Sequence, residues 1–141
     1  MKVLVAGTFD IIHPGHIYLL TEAERLGDVT VVIARDENVK RIKGHATVFT
    51  EDERKLIVGS LRMVKDVVLG DPEDFFASVQ LIQPDIILLG PDQGDGWLRE
   101  RLAREHSDIR IERLPKRVEK YSSTKAKALF KRITETKECR E

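Results

Sequence analysis

The chain has 141 residues, no formal net charge and a charged fraction of 34%. That is enough for one domain with a single core, and too balanced for a nucleic-acid binder that relies on a basic field. No apolar run approaches the ~20 residues that span a bilayer, and no basic leader precedes the first strand, so a cytoplasmic location is expected. The lone cysteine, Cys139, excludes an internal disulfide and reads as an exposed thiol in a polar tail.

In chain order, Val3-Leu4-Val5-Ala6 is the first expected strand. It runs into Gly7-Thr8-Phe9-Asp10-Ile11-Ile12-His13-Pro14-Gly15-His16, with a helix beginning at Pro14, where a missing N–H costs nothing. Gly7 relieves the turn and lets backbone approach a ligand. His13 and His16, three apart, face one side of the helix start beside unpaired N–H groups and the positive end of the helix dipole, which suits a phosphate. Two histidines without third and fourth ligands at familiar spacing make a poor zinc site, and no metal site is expected. The plainer alternatives are that the histidines only cap the helix and that Thr8 and Asp10 only shape the turn.

Leu19, Leu20, Ala23 and Leu26 mark the buried stripe of that helix, and Gly27 closes it. Thr30 to Ala34 is a second, β-branched strand, and Arg35-Asp36 ends it. A polar loop is expected from Glu37 to Val48, carrying Lys40, Arg41 and Lys43 beside Gly44, a composition suited to closing over phosphate. Thr50-Glu51-Asp52-Glu53 has the form of a capping box, so a helix should start near Glu51 with Leu56, Ile57 and Leu61 inward. Val64 to Leu69 is strand three. Asp71 and Pro72 suggest the cap and first turn of a helix running from Glu73 to about Gln83. Strand four, Ile86 to Leu89, ends at Gly90-Pro91-Asp92-Gln93. A helix from about Trp97 to Glu105 precedes strand five, Ile109 to Leu114. After Arg117 to Lys125 a final helix shows Ala126, Leu129, Phe130 and Ile133 at helical spacing, and residues 135–141 read as a polar tail beyond a domain of residues 1–134.

Strands alternating with helices in this way specify an α/β fold with a parallel sheet and right-handed crossovers. Ligands in such sheets bind beyond the carboxyl ends of the strands, where strand order reverses. The residues singled out for chemistry follow strands one, two, four and five, a convergence that periodicity did not impose.

The run Gly7 to His16 resembles the GTFDxxHxGH signature of the cytidylyltransferase-like nucleotidyltransferases, and the resemblance continues through most of the chain. It implies a Rossmann-like single domain with strand order 3-2-1-4-5 and helices on both faces. It also implies an in-line attack by an acceptor phosphate on the α-phosphorus of a nucleoside triphosphate, assisted by Mg²⁺ or another divalent cation, for which positioning and charge neutralisation suffice. On this resemblance His13, His16 and Lys43 are the catalytic candidates, and Gly7, Thr8 and Phe9 line the phosphates, while Asp10 orders the loop. Arg117, Glu119 and Ser122-Ser123-Thr124 resemble the family's RTEGIST signature, with Lys120 and Tyr121 replacing its Gly-Ile. Tyr121 and Asp92 join the nucleotide-binding set. Arg54 and Arg62 are placed like family arginines that contact the triphosphate or a dimer partner, and a homodimer is implied.

Within the family, the runs Ile33 to Lys40, Lys43-Gly44 and Leu89 to Gln93 resemble the archaeal FAD synthases, which implies ATP and FMN as substrates, with neither nucleic acid nor membrane as partner. The flavin ring would then need an apolar surface near Phe49, Tyr121 or Trp97. Glycerol-3-phosphate cytidylyltransferase is the rival resemblance, although its Gly-Asp-Asp-Trp after strand four is replaced here by Gly90-Pro91-Asp92-Gln93. A nucleotide sensor that has lost catalysis is the alternative outside enzymes.

Overall fold

The first strand, β1 (Lys2–Gly7), pairs on one side with β2 (Asp28–Ile33), which pairs with β3 (Val64–Leu69), and on the other with β4 (Ile86–Leu89), which pairs with β5 (Arg110–Arg113). All four pairings are parallel, and the order is β3-β2-β1-β4-β5. The protein is seen as a computed structural model that describes residues 1–91, 93–94, 96–115 and 131. Asp92, Arg117, Glu119, Tyr121, Ser122, Ser123, Thr124 and the expected final helix lie outside the described residues.

Alternation along β1 decides which side chain meets which layer. Val3 and Val5 pack with Leu20 and Ala23 of α1 (Pro14–Leu26) and Val58 of α3 (Glu51–Gly59), while Leu4 packs on the other face with Phe76, Val79, Leu98 and Leu102 of α4 (Phe75–Ile82) and α5 (Gly96–Glu105). Strands covered on both faces explain why the apolar runs are continuous. Because β1 lies where the order reverses, its carboxyl end opens on the crevice between the two halves of the sheet.

Three local expectations change. The polar stretch after Arg35 is largely a helix, α2 (Asp36–Lys43), ended by Gly44 in the left-handed region at φ 78°. Asp36 and Glu37 at its start and Lys40, Arg41 and Lys43 at its end complement the dipole, and only Val39 is buried. In α3 the inward face carries Arg54 and Val58, one turn apart, whereas Leu56 is 71% exposed. Helix α4 begins at Phe75 with Asp74 as its cap, because Asp71 instead accepts the amides of Glu73 and Asp74 in the turn before it. Gly27 does close α1, but in extended backbone, and it is glycine because a Cβ there would sit 2.1 Å from the Met1 carbonyl oxygen.

Candidate active site

Helix α1 starts on the signature. His13 is its cap in extended conformation, Pro14 follows, and the two histidines form a reciprocal box. Nδ1 of His13 accepts the Gly15 amide at 3.1 Å, and Nδ1 of His16 accepts the His13 amide at 3.2 Å. A ring nitrogen that accepts carries no proton, so each neutral imidazole holds its proton on Nε2. The capping alternative is therefore realised without competing with chemistry: the cap fixes the tautomer and leaves Nε2–H as the donor. The rings stack with centroids 3.8 Å apart, and the Phe9 ring lies 5.0 Å from that of His16.

Phe9 itself has φ of 51°, a left-handed backbone rare for an aromatic residue. This folds its ring back over Gly7, where an added Cβ would come within 2.8 Å of Phe9 Cε2. Space for that ring, more than freedom of the turn, makes position 7 glycine.

Burial drives the His16 pKa down from 6.5 to about 4, helped by the positive charges of His13 and Lys43. Burial also lowers that of His13. Both rings are neutral donors near pH 7. Of the three cations on α2, Lys43 reaches the signature, its Nζ standing 3.2 Å from Thr8 Oγ1. Arg41 turns to Asn38 Oδ1, and Lys40 is exposed.

Beneath this surface a buried polar network holds the loop. Asp10, 2% exposed, accepts the amides of Val48 and Phe49 at 2.8 and 2.9 Å, so it orders the loop as expected. Arg54 is completely buried and donates to the Thr8 carbonyl at 2.8 Å, the Phe49 carbonyl at 3.1 Å and Asp36 Oδ1 at 2.7 Å. It holds the signature backbone from below, which removes it from the residues expected to touch a triphosphate. Burial pushes the Asp36 carboxyl up, yet hydrogen bonds from Arg54 and the Glu51 amide, with the Arg54 charge, hold it below the usual carboxylate range. Sequence reasoning missed this role, although Arg54 and Val58 sit four apart on one face. Arg62 is exposed and pairs with Glu24.

Beside the strand ends lies a cavity of about 350 Å³, with Ala6, Gly7 and Ala34 beneath it and Phe75, Leu89 and Trp97 around it. Trp97 meets Phe75 and Phe76 edge to face at 6.2 and 5.8 Å. Phe49 does not line this cavity. Among the described residues, no three of the His, Cys, Asp and Glu side chains are grouped to hold a metal ion, and no helix is long and apolar enough to cross a membrane.

A family model described as cytidylyltransferase-like matches residues 4–129. The chain is similar to an FAD synthase of Korarchaeum cryptofilum, 43% identical over 136 residues that cover 92% of each chain. It is also similar to an FAD synthase of Ferroglobus placidus, 42% identical over 116 residues covering 80% of this chain and 75% of that one. Among solved structures it resembles a lipopolysaccharide core biosynthesis protein of Thermoplasma volcanium, with a TM-score of 0.77, 34% identity, and coverage of 82% of this chain and 97% of the other.

Proposed function

The chain belongs to the cytidylyltransferase-like family, and from that membership we propose that it is a cytoplasmic FAD synthase, transferring AMP from ATP to FMN with release of pyrophosphate. The relatives of Korarchaeum and Ferroglobus support the substrates. The observation that carries the chemistry is the histidine box, which presents two Nε2–H donors at a helix N-terminus.

In this reading a phosphate oxygen of FMN attacks the α-phosphorus of ATP, a new P–O bond forms, and the bond from that phosphorus to the oxygen bridging to the β-phosphorus breaks. Pyrophosphate leaves with the bonding pair. No covalent enzyme intermediate is needed. His13 and His16 donate to the α-phosphate oxygens as charge shifts onto them, and the arriving polyphosphate draws both pKa values upward, strengthening the donors as negative charge builds. Lys43 and Thr8 hold the leaving phosphates with the first turn of α1. Gly7 and Phe9 shape the backbone beside them, while Asp92, Arg117, Tyr121 and Ser122-Ser123-Thr124 are assigned to the nucleotide. A divalent cation would be bound chiefly through the phosphate oxygens, where it neutralises charge.

The test is to incubate the protein with Mg²⁺ and either ATP with FMN or CTP with glycerol-3-phosphate, and to identify products by chromatography. FAD from the first pair and little product from the second is expected; CDP-glycerol without FAD would transfer the same chemistry to the rival substrates.

A further inference from the structure

The cavity beside the signature has a floor of small residues, Ala6, Gly7, Ala34 and Gly70, at the ends of three neighbouring strands. Small side chains leave a flat base. Phe75 and Trp97, in edge contact with each other, and Ile42 of α2 also line it. Trp97 is 58% exposed and Ile42 76% exposed, so apolar surface is left open at the mouth of a concave site. Its volume, about 350 Å³, falls within the ~300–1,000 Å³ of small-molecule pockets. Asn38 and Arg41, also in the lining, supply polar donors at the α2 edge.

A flat, largely apolar slot with aromatic residues on one side and donors on another fits a planar fused ring that has one carbonyl-rich edge. Resting on the function proposed above, we infer that this cavity holds the isoalloxazine ring of FMN, with Trp97 and Phe75 against the ring and Asn38 and Arg41 toward its pyrimidinedione edge. The adenine ring is also flat, but it belongs elsewhere. The segment assigned to the nucleotide follows β5 in the chain, whereas the strand residues that line the cavity come from β1, β2 and β4 with Gly70 and Asp71 after β3, and none from β5. Two substrates that meet at one phosphorus need separate compartments on either side of it. Gly7, which belongs to both the signature and the cavity floor, marks where the ring compartment opens toward the phosphates.

Two variants test the assignment: Trp97→Ala, which removes an exposed side of the slot, and Ala34→Leu, which fills its floor. Steady-state constants are measured separately for FMN and ATP, with circular dichroism melting as the check on folding. Binding of riboflavin, which lacks the phosphate, is measured by equilibrium dialysis without ATP. Both variants should raise the KM for FMN on the order of tenfold, the size of a lost stacking partner, with the KM for ATP unchanged and riboflavin binding weakened. A rise in the KM for ATP instead, or no change in either constant, overturns the cavity assignment while leaving FAD synthesis intact. Wild-type protein that forms no FAD at all marks failure of the functional reading, a result these variants cannot mimic.

Discussion

His13 and His16 each serve two purposes with two nitrogens. Nδ1 closes the first turn of α1 and Nε2 is left as a donor, so neutral tautomers are set by the fold before any substrate arrives. Replacing His16 by alanine is expected to lower kcat by ~10²–10³, the scale of one preorganised transition-state contact, with the KM for ATP changed far less. Steady-state kinetics checks this; a kcat within about threefold of wild type, well under ~1 kcal/mol of barrier, would remove His16 from the chemistry. The lowered pKa also has a thermodynamic sign. With an ordinary value of 6.5 and a folded value of about 4, His16 binds its proton more readily in the unfolded chain, so stability falls as pH drops through that interval and levels off below it. Urea midpoints at pH 7.5, 6, 5 and 4 should show this fall, and His16→Ala should show a shallower one. An equal slope in the two proteins would mean that burial does not suppress protonation of His16. The histidines were readable in the sequence because their spacing and neighbours form a motif. Their tautomers were not, since only the paired amide contacts determine them.

At the scale of elements, the connection from β2 to β3 is where pattern and structure part. An eight-residue helix with one buried side chain offers no stripe to detect, so α2 resembles a loop, and pattern alone does not separate Lys43 from Lys40 and Arg41; the family resemblance names Lys43, whose Nζ stands 3.2 Å from Thr8 Oγ1. The capping box announces helix α3, and of the side chains expected inward Leu61 packs against the core, whereas Leu56 is exposed and Arg54 and Val58 are the buried residues of the helix. Arg54 joins three parts of the chain: the signature at Thr8, the loop at Phe49 and the start of α2 at Asp36. Substitution by methionine keeps much of the volume and removes all three donors, leaving two carbonyls and a carboxylate without this partner. A loss on the order of 3 kcal/mol is expected, measured by urea denaturation, with a fall in kcat as the Thr8 backbone is released. Wild-type stability in Arg54→Met would show that the guanidinium is dispensable to the loop.

For the whole molecule, β1, β2 and β4 are legible as short, nearly continuous apolar runs with helices between them, whereas β3 carries Lys65-Asp66 and β5 is a single isoleucine among charged residues. The order of the strands was not in the spacing and came through the family resemblance; the observed pairings agree with it. That order puts β1 at the reversal and so gathers the signature, the end of α2 and the cavity at one end of the sheet. The family resemblance further supports a homodimer, for which sedimentation velocity should find a species of about 32 kDa, twice the 16.1 kDa chain; a 16.1 kDa species alone at micromolar concentrations and above would contradict it. Adenylyl transfer and phosphoryl transfer from ATP differ in which phosphorus is attacked. ATP labelled at the α-phosphorus and, separately, at the γ-phosphorus is supplied with FMN and Mg²⁺, and the products are separated. Adenylyl transfer puts the α label in FAD and the γ label in pyrophosphate; α label recovered in ADP or γ label on the flavin would contradict it.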